Sequence, residues 1–140
     1  MTAKEYLLSI HWMEKQIEYE RRELEHWREL SMSVQAVNYE PHYGSNKPVD
    51  APFVKCLEKK AEAEEKIKHD TERLVHRKLD VIDKLHKIDD VDCKSVLEMR
   101  YLSYFTWEEI SEVLHYSIRW IYKLHGHALV KFEKLMEEDC

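Results

Sequence analysis

The chain has 140 residues, of which 36% are charged and 44% are hydrophobic, and its formal net charge at pH 7 is −6. These values are ordinary for a soluble helical protein with one or two small domains. Lys or Glu interrupts the apolar stretch at the start of the chain within a few residues. We therefore expect neither a signal peptide nor a transmembrane helix, and a protein of the bacterial cytoplasm without a membrane partner.

Three prolines and two glycines are the only strong helix breakers, and all three prolines lie between positions 41 and 52. This distribution predicts an all-α fold with helices on both sides of that window. Residues 35–52 are expected to form a long loop. Asp50 is a candidate N-cap for the helix that follows, with Pro52 in its first turn, where the missing N–H group costs nothing.

The first predicted element is a long helix over residues 3–34. Its apolar side chains repeat in steps of three and four, which is a heptad pattern, with Glu20 and Ser31 filling gaps in the seam. Because the rest of this helix is polar, the seam needs an apolar partner from the same chain or from a second copy. The seam consists of Ala3, Tyr6, Ile10, Met13, Ile17, Leu24, Trp27 and Val34.

The second predicted element is a helix over residues 53–90, again with heptad spacing. The two helices are long enough to lie antiparallel, which predicts a helical hairpin over residues 1–90. Around Glu20, Ala61 and Glu64 its middle has few large apolar groups. Either this layer fixes the register or opens for a partner, or the hairpin completes its burial in a homo-oligomer. The second seam consists of Phe53, Leu57, Ile67, Leu74, Val81, Leu85 and Ile88.

The remaining residues, 91–140, are predicted to form a small trihelical domain. Its first helix spans Cys93 to Ser103, with Asp92 as its cap. The next helix begins at Thr106, because Thr106 and Glu109 have the spacing of a capping box. Its apolar face consists of Ile110, Val113 and Leu114.

The last helix follows a short break at His115 and Tyr116, and Ser117 is its predicted N-cap. Its inward positions are Ile121, Leu124, Ala128, Leu129 and Phe132. A short helix, a turn and a second helix constitute a helix-turn-helix, whose second helix enters the major groove of duplex DNA. The residues left outside at its start are Ile118, Arg119, Tyr122, Lys123 and Gly126.

The charge distribution favours DNA binding locally and opposes it globally. Residues 113–132 contain no acidic residue, whereas Arg119, Lys123 and Lys131 are present. From Asp92 to Cys140 there are six Lys or Arg against nine Asp or Glu, a formal charge of −3. Because phosphate neutralisation dominates nonspecific DNA affinity, a monomer should bind weakly.

Four sequence segments carry a resemblance to region 4 of bacterial sigma factors: VLEMRYL (96–102), TWEEIS (106–111), LHYS (114–117) and ALVKF (128–132). The sequence has His115 where the sigma pattern usually has a turn glycine. With the coiled region before it, the chain resembles the small phage-encoded transcriptional regulators of the ArpU and RinA type and related unassigned phage proteins. The resemblance implies double-stranded DNA as a partner, with Arg100 and Thr106 near phosphates and Ser117 at the start of the reading helix. It also implies RNA polymerase as a second partner.

Other classes of site have little support in the sequence. No two of the nine histidines stand four residues apart, so a helical metal site is not expected. Cys56, Cys93 and Cys140 show no metal or disulfide spacing and are expected to be free thiols. There is no glycine-rich phosphate loop and no nucleophile-elbow motif. We therefore expect no metal, no cofactor and no enzymatic activity.

The sequence thus predicts a phage-type, sequence-specific transcriptional regulator that reads duplex DNA with the helix starting at Ser117. Its hairpin would make it a homo-oligomer through the N-terminal helices, or engage polymerase. The alternative is a protein-interaction module that binds a host or phage protein through Ile118, Trp120 and Tyr122 and does not bind DNA. A small terminase subunit is a third hypothesis.

Overall fold

The computed structural model describes residues 1–38 and 51–139, and every secondary-structure element in these ranges is a helix. The predicted all-α fold is therefore confirmed. A five-residue π-helical turn, Glu98–Leu102, follows directly after the third α-helix. The α-helices are α1 (Ala3–Asn38), α2 (Ala51–His86), α3 (Val91–Leu97), α4 (Trp107–Leu114) and α5 (Ile118–Glu138).

Both long helices differ in length from the prediction. Helix α1 continues through 35–38, which were predicted as loop; Gln35 and Ala36 are good helix formers and nothing in this stretch breaks the helix. Helix α2 starts two residues earlier than predicted, at Ala51, so 51 and 52 are helical as well. The rest of the predicted loop, 39–50, lies outside the described residues, as does the proposed cap at Asp50.

Helix α2 ends at His86 and not at residue 90. The amides of Lys87 and Ile88 bond to carbonyls three residues earlier, at 3.1 Å each, which tightens and closes the last turn. The side chain of Ile88 then enters the core. Asp89 and Asp90 follow, and carboxylates are unfavourable at the negative end of a helix.

The chain forms two compact units, one made of Met1–Met13 with Leu74–Cys140 and the other of Glu14–Arg73. In the first unit the beginning of α1 and the end of α2 share one core with all the later helices. This core contains residues from both sides of position 90. The predicted division into domains 1–90 and 91–140 stays a prediction. Its fully buried members include Leu7, Ile10, Val81, Val96, Leu97, Ile110, Ile121 and Phe132.

Antiparallel pairing of α1 and α2 is visible in the first unit. The Tyr6 hydroxyl donates to Asp80, and Arg77 Nη1 lies 2.5 Å from Ser9 Oγ, so partner numbers fall on α2 as they rise on α1. Arg77 also lies over the Tyr6 ring, 4.6 Å from its centroid. Polar contacts thus help to fix the register of this part of the pairing, beside the buried apolar seam.

The second unit contains the middle of both long helices. On α1 the predicted seam is confirmed at Ile17 and Leu24, which are buried together with the polar Glu20 and Ser31. The side chain of its last predicted member, Val34, lies outside the described part of the chain. On α2 the seam is weaker than predicted: Ile67 is half-buried and Leu57 is 42% exposed. Val54, three residues before Leu57 on the same helix, is 40% exposed as well, so this part of the pairing buries little apolar surface.

The segment before the helix-turn-helix differs from the single predicted helix over 93–103. Helix α3 starts at Val91 and its cap is Asp90, whose Oδ1 accepts hydrogen bonds from the amides of Asp92 and Cys93, so the prediction of Asp92 as the cap was wrong. Two further bonds, Ser103 N to Glu98 O at 3.0 Å and Phe105 N to Met99 O at 2.8 Å, close the π-helical turn.

Candidate nucleic-acid interface

Helix α4 begins as the sequence predicts. Thr106 Oγ1 accepts from the Glu109 amide at 3.1 Å, and Glu109 Oε1 accepts from the Thr106 amide at 3.4 Å, which is a complete capping box. Ile110 is fully buried and Leu114 half-buried, as expected. Val113 is 49% exposed, so its predicted inward position was wrong. The short helix packs through one narrow stripe, and Val113 lies about 100° away from Leu114 around the axis.

The turn between α4 and α5 is held by side-chain hydrogen bonds. His115 ends α4 in the left-handed conformation, with φ of 60°, in the position where the sigma pattern usually has glycine. This conformation costs a side-chain-bearing residue about 1 kcal/mol or more. Ser111 Oγ donates to the Tyr116 carbonyl at 2.5 Å, and the Tyr116 hydroxyl donates to Asp92 at 2.8 Å. These bonds help offset that cost and connect the turn to α3.

Helix α5 is capped by Ser117, whose hydroxyl accepts from the Trp120 amide at 3.2 Å, as predicted. The predicted inward positions are confirmed, because all of them are buried except Leu129, which is half-buried. They pack against α3, the π-helical turn and α4, so the orientation of α5 about its own axis is fixed. The buried positions are Ile121, Leu124, Ala128 and Phe132.

Five residues in the first turns of α5 are exposed to solvent along one side of the helix, and we call them the α5 stripe. It contains Arg119 and Lys123, two of the basic residues predicted to contact DNA, and the ammonium of Lys123 lies 6.0 Å from the centroid of the exposed Trp120 ring. Lys131, further along, pairs with Asp90 at 3.9 Å instead. The α5 stripe consists of Ile118, Arg119, Tyr122, Lys123 and Gly126.

Gly126 has no structural requirement that the described residues reveal. A Cβ atom built at this position meets nothing within 4 Å, and the residue lies inside a regular helix. Glycine in an exposed helix interior costs roughly 1 kcal/mol relative to alanine. A glycine that the fold does not need is typical of a position where another molecule comes close to the backbone.

Arg100 has an intramolecular role that sequence reasoning missed. Its guanidinium stacks over the Trp107 ring, 4.4 Å from the centroid, and its Nη1 donates to the Phe105 carbonyl at 3.1 Å. It therefore braces the segment between the π-helical turn and α4. The proposed contact of Arg100 with phosphate stays a prediction, as do the DNA contacts of Thr106, Ser117 and the α5 stripe.

Trp107 packs against α5. Its ring meets Tyr122 edge-on at 5.1 Å and His125 edge-on at 4.9 Å. His125 in turn lies against Tyr101 of the π-helical turn. Burial lowers the pKa of His125 to about 4, assisted by the positive charges of Lys4 and Arg100. The ring is therefore neutral near pH 7 and serves as a packing and hydrogen-bonding group.

The described residues form neither a metal-holding cluster nor a membrane span. Across 1–38 and 51–139, no group of three His, Cys, Asp or Glu side chains is arranged to hold a metal ion. Cys56 and Cys93 are free thiols, and burial raises the pKa of Cys93, which keeps that thiol protonated. None of the described helices is long and apolar enough to span a bilayer.

Comparison with known proteins gives one match. Residues 30–133 match the model of a family described as a protein of unknown function, DUF1492. The match covers more than half of the chain, including α2, the π-helical turn and the helix-turn-helix. No curated protein and no solved structure matches the chain.

Proposed function

The chain belongs to the DUF1492 family, and we propose that it is a phage-type, sequence-specific transcriptional regulator that reads duplex DNA with α5. One observation carries this proposal. The α5 stripe is exposed on a helix whose opposite side is buried, directly after a short helix and a tight turn. In a helix-turn-helix this is the surface that enters the major groove.

The chemistry of the stripe suits base edges and phosphates. Arg119 lies in the first turn of α5, where recognition helices contact bases, and its planar fork can bond to two acceptors of one guanine. Lys123 follows four residues later on the same side and is a point charge suited to phosphate. Ile118 and Tyr122 add apolar surface for a thymine methyl group or sugar.

Two helix N-termini flank this surface and can position the phosphates. The hydroxyls of Thr106 and Ser117 each accept one amide hydrogen bond, which leaves the O–H of each group free to donate. Backbone amides and hydroxyls at helix N-termini commonly bind phosphate oxygens, which fixes the register without reading sequence.

The net negative charge of residues 92–140 makes a homo-oligomer part of the proposal. When one of two connected helix-turn-helix domains binds DNA, it raises the effective concentration of the other at a neighbouring DNA site. Two moderate affinities can therefore combine into a useful one. The outer side of α2 offers surface for such an interface, because Val75, Leu79 and Ile82 are exposed at intervals of four and three residues. RNA polymerase is the second partner that the resemblance to sigma region 4 suggests.

A protein-interaction module is the competing function, and one observation favours it. Trp120 is 46% exposed, and Ile118 and Tyr122 are exposed beside it. Exposed tryptophan and tyrosine clusters are typical of protein interfaces, where a few such anchors carry most of the binding energy. Under this hypothesis α5 binds a host or phage protein. A small terminase subunit is the third hypothesis.

The proposal is tested by binding selection on randomised duplex DNA with the full-length chain, combined with sedimentation. We expect enrichment of one sequence, an oligomer in solution, and an affinity that falls steeply with salt. If no sequence is enriched and no saturable binding occurs at low salt, the regulator hypothesis is wrong and the protein-interaction module takes its place.

A further inference from the structure

The unit Glu14–Arg73 contains a buried carboxyl group between its two helices. Glu20 is 2% exposed, and its Oε2 atom is shielded from water. Its Oε1 atom accepts from Gln16 Nε2 at 3.1 Å. No amide, hydroxyl or ammonium group in the described part of the chain donates a hydrogen bond to Oε2. A charged oxygen without a donor is costly away from water, so ionisation of Glu20 is unfavourable here.

A second carboxyl group, from α2, meets the first. The Asp70 carboxyl lies in hydrogen-bonding contact with that of Glu20. Two carboxylates can only accept, so this contact is a hydrogen bond only when one of them carries a proton. Asp70 is partly exposed whereas Glu20 is not, so the proton belongs on Glu20. Burial, followed by the contact with Asp70, raises the pKa of Glu20 above its ordinary value of 4.5, although Gln16 and Lys66 act in the opposite direction.

The other charged groups that face Glu20 do not replace this proton. Lys66 Nζ lies 3.7 Å from Oε1, outside hydrogen-bond distance, and the Lys66 side chain is 61% exposed. Lys59 pairs with Glu62 at 3.4 Å. Glu23 faces the same space from α1 and adds a further negative charge. The proton on Glu20 is therefore what allows the two carboxyl groups to lie together.

We propose that Glu20 and Asp70 share one proton across the pairing of α1 and α2, and that release of this proton loosens this part of the pairing. Once the proton has left to the solvent, two negative charges face each other at a site shielded from water, where repulsion is strong. Apolar contacts nearby do little to offset this repulsion, since Ile67 is half-buried and Leu57 is 42% exposed. This pH-sensitive contact does not depend on what α5 binds.

The direction of the pH dependence follows from where the proton is held. Between the ordinary pKa of 4.5 and the raised pKa in the folded chain, the folded state keeps a proton that the unfolded state has released. The stabilisation by Glu20 and Asp70 is therefore complete below the ordinary value. It is lost as the pH rises through the raised value.

The direct test is a carbon-13 NMR titration of the side-chain carboxyl groups in the full-length chain, with Glu20→Gln identifying the Glu20 signal. We expect this signal to titrate at a higher pH than that of Glu18, which is exposed on the same helix. In Asp70→Asn one negative charge is replaced by an amide that can donate to Glu20. The midpoint of Glu20 should then fall by about one pH unit or more.

If Glu20→Gln does not fold by circular dichroism, the glutamate signal that moves in Asp70→Asn identifies Glu20 instead. The proposal is overturned if the Glu20 signal titrates with the exposed glutamates. It is also overturned if no glutamate midpoint falls in Asp70→Asn, because Glu20 would then hold its proton without its neighbour.

Urea unfolding between pH 5 and pH 8 tests the consequence for the fold. Glutamine has the shape and the donor of a protonated glutamate, so the stability of Glu20→Gln relative to the wild type should increase as the pH rises. Glu18→Gln is the matched control, and its difference from the wild type should stay constant over this range. A constant difference for Glu20→Gln as well would overturn the proposal.

Discussion

Tyr101 and His125 connect the π-helical turn to α5: the Tyr101 hydroxyl oxygen lies 2.7 Å from Nε2 of His125, and the rings stack with centroids 5.7 Å apart. Burial raises the pKa of Tyr101 and lowers that of His125, so both groups are neutral at pH 7. The phenol can therefore donate to the unprotonated Nε2 atom. Protonation of His125 would remove this acceptor.

This relationship predicts an acid-sensitive contribution to stability. The pKa of His125 is about 4 in the folded chain against an ordinary value of 6.5, so the folded state binds fewer protons between these values. The contribution is complete above pH 6.5 and is lost as the pH falls towards 4. Because the ring is partly exposed, we expect solvent screening to reduce the loss to about 1 kcal/mol between pH 7 and 5.

The measurement is urea unfolding at both pH values for the wild type, His125→Gln and His127→Gln. His125→Gln should remove this part of the pH dependence. His127 is exposed on the same helix, so its variant should keep the full dependence. An identical pH dependence in all three proteins would show that His125 does not carry the effect.

The caps at Thr106 and Ser117 could be predicted because each cap depends on residues within three positions of it. Contacts between residues that lie far apart in the sequence could not be predicted. Tyr101 and His125 stand 24 residues apart, and whether they meet depends on how the helices pack. The sigma-like resemblance implies a phosphate contact for Arg100, but no pattern in the sequence shows the Trp107 ring beneath its guanidinium.

The end of α2 shows why the ends of the helices were harder to predict than these caps. Asp90 and Asp92 are both good caps, and the choice between them depends on where the preceding helix stops. That point is set by Ile88, which is buried in a core shared with the first turns of α1 and with α5. The sequence predicts that Ile88 faces inward, but not that it lies beyond the end of α2 when it packs into this core.

Lys84 provides a second test of stability. It is buried, and its ammonium lies 2.7 Å from Asp80 and 2.5 Å from Asp139. Burial alone would lower its pKa, but hydrogen bonds to the two carboxylates outweigh burial and raise it. Lys84→Met should cost about 1 to 2 kcal/mol in unfolding free energy, less than a fully buried pair because both carboxylates are partly hydrated. Urea unfolding measures this, with the exposed Lys87→Met as control; equal stability of the two variants would contradict it.

Arg100 can be tested by a substitution that keeps its charge. Lysine lacks the planar guanidinium, so Arg100→Lys should lose the stack on Trp107 and the bond to Phe105, at a cost of about 1 kcal/mol. Thermal unfolding gives the stability, and Arg119→Lys is the exposed control. A variant as stable as the wild type would mean that the contact with Trp107 contributes nothing.

Gly126 predicts opposite effects on stability and on binding. Gly126→Ala places a methyl group in open space, so the helix should gain about 0.5 to 1 kcal/mol of stability. If DNA approaches the backbone here, the same methyl group should weaken binding. Thermal unfolding and a DNA titration measure the two effects, with His127→Ala as control. Increased stability with unchanged affinity would remove Gly126 from the interface.

The last prediction separates the two proposed functions by titrating double-stranded DNA into four variants. If α5 reads DNA, Arg119→Ala should lose about 1 to 3 kcal/mol at the selected site, because a base-edge contact is removed. Lys123→Ala should weaken binding to all sequences alike and reduce the salt dependence, because a phosphate contact carries no sequence information. Both side chains are exposed, so neither change should unfold the domain.

The protein-interaction module predicts the reverse ranking for the same four proteins. Removing charge at Arg119 or Lys123 should then matter little, whereas Ile118→Ala or Trp120→Ala should abolish binding to the partner, because apolar and aromatic anchors carry interface energy. Ile118 and Trp120 are exposed in the first turn of α5, so the chain itself does not need them for its core. DNA titration at low and moderate salt decides between the two: sensitivity to the two basic residues supports the regulator, and no salt-sensitive binding by the wild type supports the module.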